Sequence, residues 1–315
     1  MHMAKNKPQL EHDLQLPMLL DQTLGNHARL MGASPDSDAE RTRPDSAAAV
    51  PFVKWVGGKR SIVSQLKRRL PASFKHYYEP FVGGGALFFE IHKNVVSAHL
   101  SDTNLDLLLT YKAVQKDPRK LLTLLSEHAQ AHDEDYYYKL RSQHALPDPV
   151  ESAARFIYLN RTCYNGLFRV NKKGEFNVPV GDYAKPGIVQ EGNILACSRA
   201  LQRNVSVTYR DFTSIEPGRD DFVYFDPPYH PTDDTSFTAY SKADFTEKDQ
   251  SRLAEFATEL HKAGVKVMLS NSNTRFIQTL YKSSIFNIEL VNAPRMVNCK
   301  PGGRGPVEEV LITNY

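Results

Sequence analysis

Tyr78-Glu79-Pro80-Phe81-Val82-Gly83-Gly84-Gly85-Ala86-Leu87-Phe88 decides how this 315-residue chain folds. Lys75–Glu79 reads as a short strand, and Pro80 stops it by removing a backbone donor. Three glycines then allow a tight turn and let a ligand approach the backbone more closely than a Cβ would permit. Ala86–His92 reads as a helix, Val95–Leu100 as a buried strand ending at Ser101-Asp102, and Leu105–Gln115 as the next helix. Strand, glycine turn, helix, strand and acid form the first half of a doubly wound nucleotide-binding sheet. No Gly-x-Gly-x-x-Gly or Gly-Lys-Ser/Thr pattern is present in the turn, so a nucleoside without a phosphate cradle is the better fit. Asp102, at a strand end, suits ribose hydroxyls.

Upstream, Ile62–Leu70 has its apolar residues on one helical face and stops at Pro71. Residues 1–50 carry turn formers and charges without a periodic apolar face after Gly32, and read as a disordered extension. Downstream, residues 116–194 break the α/β rhythm. Helical stretches 118–128, 133–144 and 150–159 are followed by a basic, aromatic segment in which Asn171-Lys172-Lys173-Gly174 reads as a hairpin turn. This is an inserted, mainly helical domain carrying a β-hairpin, set between two halves of a catalytic domain at 51–115 and 195–315. The α/β pattern resumes with strands Val205–Tyr209, Phe222–Phe225 and Val265–Ser270 and helices Glu247–Lys262 and Arg275–Lys282. Ile285–Val291 and Glu308–Asn314 are expected to close the sheet as an antiparallel pair.

Lys plus Arg number 39 and Asp plus Glu 36, a net charge of +3 that excludes a strongly basic coating protein. Residues 1–50 hold 5 basic and 7 acidic groups, leaving 34 against 29 beyond them. Three scattered cysteines exclude a disulfide framework or a Cys-x-x-Cys metal site, and the acids and histidines lack metal-ligand spacing, so no metal is expected. With no long apolar run, the expectation is a soluble intracellular protein. No obligatory protein partner is expected.

Asp226-Pro227-Pro228-Tyr229 closes the apolar strand Phe222–Phe225. The prolines fix φ and supply carbonyls without donors. A nucleobase exocyclic amine needs acceptors for both hydrogens before it can attack. The Asp226 carboxylate and Pro227 carbonyl can provide them, and Tyr229 can stack on the base. Residues 51–70 contain six basic side chains and no acid, and 155–185 contain six basic against two acidic residues interleaved with aromatics, a composition suited to nucleic acid and equally to a solvated hairpin.

Taken in order, Lys54-Trp55-Val56-Gly57-Gly58-Lys59, Glu79–Gly85, Ser101-Asp102-x-Asn104, Asn160-Arg161-x-x-Tyr164-Asn165-Gly166-Leu167-Phe168-Arg169, Gly174–Pro179, Asp211-Phe212, Asp226–Tyr229, Ser270–Thr274 and Arg304–Leu311 resemble the Dam-type, D12 class DNA adenine-N6 methyltransferases, GATC-specific branch. The resemblance covers about residues 51–315 and implies a Rossmann-like class I methyltransferase sheet using S-adenosyl-L-methionine on double-stranded DNA. It implies cofactor contacts from Trp55, Lys59, Glu79, Pro80, Phe81, Gly83, Asp102, Asp211, Phe212 and Asp226. Asp226, Pro227, Pro228 and Tyr229 are implied to grip the flipped adenine. Lys54, Tyr164, Asn165, Leu167, Arg169, Pro179 and Tyr183 are implied to face the DNA bases or their surroundings, with Arg169 a guanine reader. Arg161, Lys172 and Lys173 are assigned phosphate or scaffold roles. Asp182 departs from the pattern, since many GATC enzymes carry a basic residue there. The implied activity belongs to restriction–modification methylases and to methylases without a partner nuclease alike, and the resemblance implies a cytoplasmic location, in a bacterial cytosol or nucleoid, whether chromosomal or carried by a phage or mobile element. Two other functions stay open: the same scaffold acting on another motif, on cytosine N4 or on RNA, and a non-catalytic DNA-binding protein.

Overall fold

The computed structural model describes residues 48–143, 146–232, 245–282, 284–293 and 307–315. The extension assigned to 1–50 therefore lies, up to residue 47, outside the described residues, as do Arg304 and Gly305 of the closing motif. Residues Ala48–Tyr315 form one compact unit.

Seven strands build one sheet in the order β3-β2-β1-β4-β5-β7-β6. They are β1 (Tyr77–Glu79), β2 (Ala98–Asp102), β3 (Val205–Tyr209), β4 (Phe222–Phe225), β5 (Lys266–Ser272), β6 (Asn287–Ala293) and β7 (Val307–Thr313). The first five run parallel, with Tyr77 beside both Ala98 and Phe222, and Val223 beside Val267. β7 lies antiparallel between β5 and β6, so the expected closing pair forms and slots in as a unit. Side-chain alternation sorts the strands onto two faces. Tyr77, Tyr224, Met268 and Leu311 join one apolar cluster, while Tyr78, Val223, Phe225, Val267, Leu269, Val310 and Ile312 join the other. Burial of both faces explains why β4 reads as an unbroken apolar run.

Along the chain the helices are α1 (Val63–Lys67), α2 (Ala86–Ile91), α3 (Leu105–Lys116), α4 (Pro118–Gln130), α5 (Glu134–Arg141), α6 (Pro149–Thr162), α7 (Glu191–Leu201), α8 (Glu247–Lys262) and α9 (Arg275–Tyr281). Polar caps set several starts: Asn104, Asp117, Asp133 and Asp148 each accept a first-turn amide, and Thr246 forms a reciprocal box with Asp249. Such a cap contributes about 1 kcal/mol. The expected helix Ile62–Leu70 is shorter in the structure. Lys59–Ser61 is a 3-10 turn, and Ile62 at φ −116° separates it from α1. The segment 116–194 is mainly helical, and Leu121, Leu125, Tyr137, Phe156 and Ile157 share one apolar cluster with Leu107 and Val114 of α3. Its hairpin is a tight turn held by isolated bridges, Cys163 to Val180 and Val170 to Phe176, instead of two continuous strands. Gly174 at φ +79° and the Asn171 side chain, which accepts from Lys173 and Glu175 amides, make the turn.

Candidate active site

The chain leaves β1 toward β2 and later returns as β4 on the other flank of β1, so the order reverses between β1 and β4. In an open α/β sheet that reversal opens a crevice at the carboxyl ends. Glu79 ends β1, Asp102 ends β2, Asp226 follows β4 and Asp211 follows β3 by two residues. Four carboxyl groups thus stand at the ends of four adjacent strands.

The glycine turn fills the β1 side. Asp102 Oδ2 accepts from the Gly83 amide at 3.1 Å and Oδ1 from the Asn104 amide at 3.0 Å, so this carboxylate holds the turn as well as facing the crevice end of its strand. Gly83 sits at φ +46°, and a Cβ there would lie 2.6 Å from Trp55 Cδ1. Trp55 therefore lies directly on the turn. Its indole also stacks on Phe168 at 5.7 Å, and Phe168 meets Phe176 at 5.9 Å, an aromatic line from the turn into the hairpin. Pro80 is buried, while Phe81 is half-buried and stacks on Phe212 at 5.3 Å. Phe212 carries the Arg252 guanidinium 5.0 Å from its ring centre, and Arg252 pairs with Asp211 at 3.0 Å.

On the β4 side, Asp226 Oδ1 lies 2.8 Å from Lys59 Nζ. Lys59 is buried, donates to the Gly57 carbonyl, and sits 4.5 Å from the centre of the Tyr229 ring. Burial raises the Asp226 carboxyl to about 6, with Lys59 pulling it down and Glu309 pushing it up. The loop backbone is pinned from outside. Gln250 Nε2 donates to the Pro228 carbonyl at 2.9 Å, Asn271 Oδ1 accepts from the His230 amide at 3.0 Å, and Ser272 Oγ donates to the His230 carbonyl. Pro227 is buried, and among the described residues no group donates to its carbonyl.

Glu79 is buried and accepts from the Tyr77 hydroxyl at 2.9 Å. Burial lifts its carboxyl from 4.5 to about 8, and the nearby Asp226 and Asp102 charges add to the rise. The folded state thus keeps this proton through a pH window in which the unfolded chain has lost it. The group's contribution to stability is fullest below about 4.5 and declines as pH climbs through about 8. Melting curves of wild type and Glu79→Gln should therefore diverge with rising pH between those values, the variant gaining. A constant gap would contradict the buried neutral carboxyl.

At the hairpin rim, Tyr164 is 47% exposed and Asn165 holds φ +54° beside it. Leu167 is half-buried, while Pro179, Lys172 and Lys173 are exposed. Lys54 Nζ lies 4.1 Å over the half-buried Tyr183 ring, and Asp182 is exposed between Gly181 and Tyr183. Arg169 is oriented by Asn177, donating from Nε to its side chain at 2.6 Å and from Nη2 to its carbonyl at 3.1 Å. Arg161, assigned a phosphate or scaffold role, turns its guanidinium inward to the Phe52 carbonyl at 2.6 Å and to Gln190 at 2.9 Å, the contacts of a scaffold group. Asn160 does related work, bonding both the amide and carbonyl of Lys54. Gln250 and Arg252 are absent from the residues singled out in the sequence, since a lone polar residue in a helix carries no local signal, and Glu309, inside the closing motif Arg304–Leu311, has no role assigned to it there. No metal-binding cluster occurs among the described residues, nor is any of their helices long and apolar enough to cross a membrane.

A family profile described as D12 class N6 adenine-specific DNA methyltransferase matches residues 55–297. The chain is 46% identical over 291 residues to the Type II methyltransferase M.MjaIII of Methanocaldococcus jannaschii, covering 84% of this chain and 99% of the relative. It is 40% identical over 274 residues to the Type II methyltransferase M1.LlaDCHI of Lactococcus lactis subsp. cremoris, covering 84% and 95%. It is 34% identical over 266 residues to the DNA adenine methylase of Escherichia coli strain K12, covering 82% and 93%.

Proposed function

The chain belongs to the D12 class of N6 adenine-specific DNA methyltransferases, and from that premise we propose that it methylates the adenine of GATC in duplex DNA after turning that base out of the helix. S-adenosylmethionine is the methyl donor, and when bound it supplies a sulfonium-activated methyl group. The residues present suit it: at Gly83 a Cβ would fill the cradle beside Trp55, and the turn lacks a phosphate-binding motif. Trp55, Lys59, Glu79, Pro80, Phe81, Gly83, Asp102 and Asp226 would line that cradle. Asp211 and Phe212 would receive the adenine end of the cofactor, which requires Arg252 to share Asp211.

The observation that carries the reading is the Asp226–Tyr229 loop, anchored through the Pro228 and His230 backbone and following the strand next to the one that leads into the glycine turn. The amine of the target base would donate its hydrogens to the Asp226 carboxylate and the Pro227 carbonyl, while Tyr229 stacks on the ring. Alignment is then the protein's main contribution, and the proton leaves once the new bond has begun to form. Turning the base out costs a few kcal/mol, offset by stacking and hydrogen bonds in the pocket. The test is 2-aminopurine placed at the adenine of GATC: fluorescence should rise on binding, and an unchanged signal with tight binding would argue for a stacked base.

Sequence reading is assigned to the rim of the hairpin. Tyr164 would wedge into the stack, Asn165, Leu167 and Arg169 would meet base edges, and Lys54, Pro179 and Tyr183 would lie nearby. Lys172 and Lys173 would position the backbone without specifying sequence. The intact Tyr164-Asn165-Gly166-Leu167-x-Arg169 segment supports GATC. Arg169→Ala should reduce discrimination at one guanine by about 1–3 kcal/mol, measured as the ratio of kcat/KM on GATC and on single-base variants. Uniform weakening on every duplex would recast Arg169 as a backbone contact.

A further inference from the structure

Besides Lys59 at Asp226 and Glu247 at the His230 ring, four side chains on other elements hold the Asp226–His230 segment, and they divide its atoms unequally. Gln250 on α8 and Asn271 and Ser272 on β5 take only backbone groups, the Pro228 carbonyl and the His230 amide and carbonyl. Asn271 Nδ2 in turn donates to Gln250 Oε1 at 3.0 Å, so these residues brace one another. The fourth is Glu309 on β7. Its Oε2 accepts from the Tyr229 hydroxyl at 2.8 Å, and it does so from the strand position paired with Ser272.

The path of the loop is therefore fixed without Glu309, but the rotation of the Tyr229 ring is not. A tyrosine ring anchored at Cα alone can turn about two side-chain bonds. Tying its hydroxyl to a strand of the central sheet leaves one orientation, with Lys59 Nζ 4.5 Å from the ring centre. Stacking strength depends on the plane that the ring presents.

We infer that Glu309 is a positioning residue that, by accepting the Tyr229 hydroxyl, sets the plane of the ring against which the target adenine stacks. This rests on the flipped-base assignment of Tyr229 made above. Glu309 does not touch the reacting atoms. Its effect belongs in the rate of transfer from the bound complex, not in cofactor affinity.

The test compares full-length wild type, Glu309→Ala, Glu309→Gln, Tyr229→Phe and the double variant Tyr229→Phe/Glu309→Ala in methyl transfer to a GATC duplex. Glu309→Ala should lower kcat about 30-fold with KM for S-adenosylmethionine within about threefold, the pattern of lost alignment. Glu309→Gln, which keeps an acceptor oxygen, should recover to within about threefold of wild type. Tyr229→Phe should match Glu309→Ala, and the double variant should be no slower than either, because both remove one bond. Wild-type speed in Glu309→Ala overturns the inference. So does a Glu309→Gln as slow as the alanine variant, since charge toward Lys59 and Asp226 would then be what matters, and so does a double variant whose losses multiply. If Glu309→Ala does not fold, a fast Tyr229→Phe still overturns it. A wild-type enzyme that methylates GATC without unstacking 2-aminopurine would remove the flipped-base assignment first, and this inference with it.

Discussion

Asp226→Ala is expected to slow methyl transfer by about 10³-fold or more while S-adenosylmethionine binds within about tenfold of wild type. The two halves of that result have separate causes. Asp226 directly follows β4, where on the proposed function its carboxylate would be the acceptor that orients the attacking amine. The glycine turn, by contrast, is held by Asp102 through the Gly83 amide and is packed by Trp55, and neither contact involves Asp226. The loop keeps its backbone anchors from Gln250, Asn271 and Ser272, so the variant should retain its path. Single-turnover rates and equilibrium cofactor binding measure the two halves independently. Loss of both together would refute the division of labour between the β1 and β4 strand ends.

Lys59→Met should move the pH dependence as well as the rate. Lys59 is the buried cation facing Asp226, at 2.8 Å, and it partly offsets the burial that leaves this carboxyl raised to about 6. Without the ammonium, desolvation and the Glu309 charge act unopposed, and the Asp226 value climbs further. On the proposed role of Asp226 as acceptor, transfer would need the unprotonated carboxylate, so wild-type kcat should fall as pH drops through about 6. In Lys59→Met the same acid limb should lie at least about one unit higher, with kcat at its plateau reduced by about 10²-fold because the Tyr229 ring also loses its cation. An acid limb that stays in place would mean that another group controls the profile. The pair also has a stability side: removing one partner of a buried ion pair costs about 3–5 kcal/mol, so the variant should melt earlier than wild type.

The parts of this site that lie on continuous chain could be read from residues alone. Phe222–Phe225 followed by Asp226-Pro227-Pro228 announces a buried strand and its abrupt end, and Tyr78–Phe88 announces strand, turn and helix. The alternation that sends Tyr77 and Tyr78 to opposite faces is equally visible. What escaped notice depends on pairing across the fold. Glu309 is 80 residues from Tyr229, and their contact exists only because β7 inserts between β5 and β6. Gln250 lies on a solvent-facing type of helix pattern, yet its amide is buried against the Pro228 carbonyl. Charge was a poor guide to exposure for arginine. Arg161 counts as a basic residue of the hairpin region, but its guanidinium closes the Phe52 carbonyl. Arg169 is already oriented by Asn177. In each case the partner is a backbone carbonyl or amide side chain that no charge pattern marks.

Methyl transfer from labelled S-adenosylmethionine to a duplex panel tests the central claim most directly. The panel contains GATC, each single-base variant, and GATC with its adenines already N6-methylated. Label should enter only the unmethylated GATC duplex and be recovered as N6-methyladenine. Comparable label in a variant duplex, or in the premethylated one, would contradict the assignment of the hairpin rim and of the amine held by Asp226.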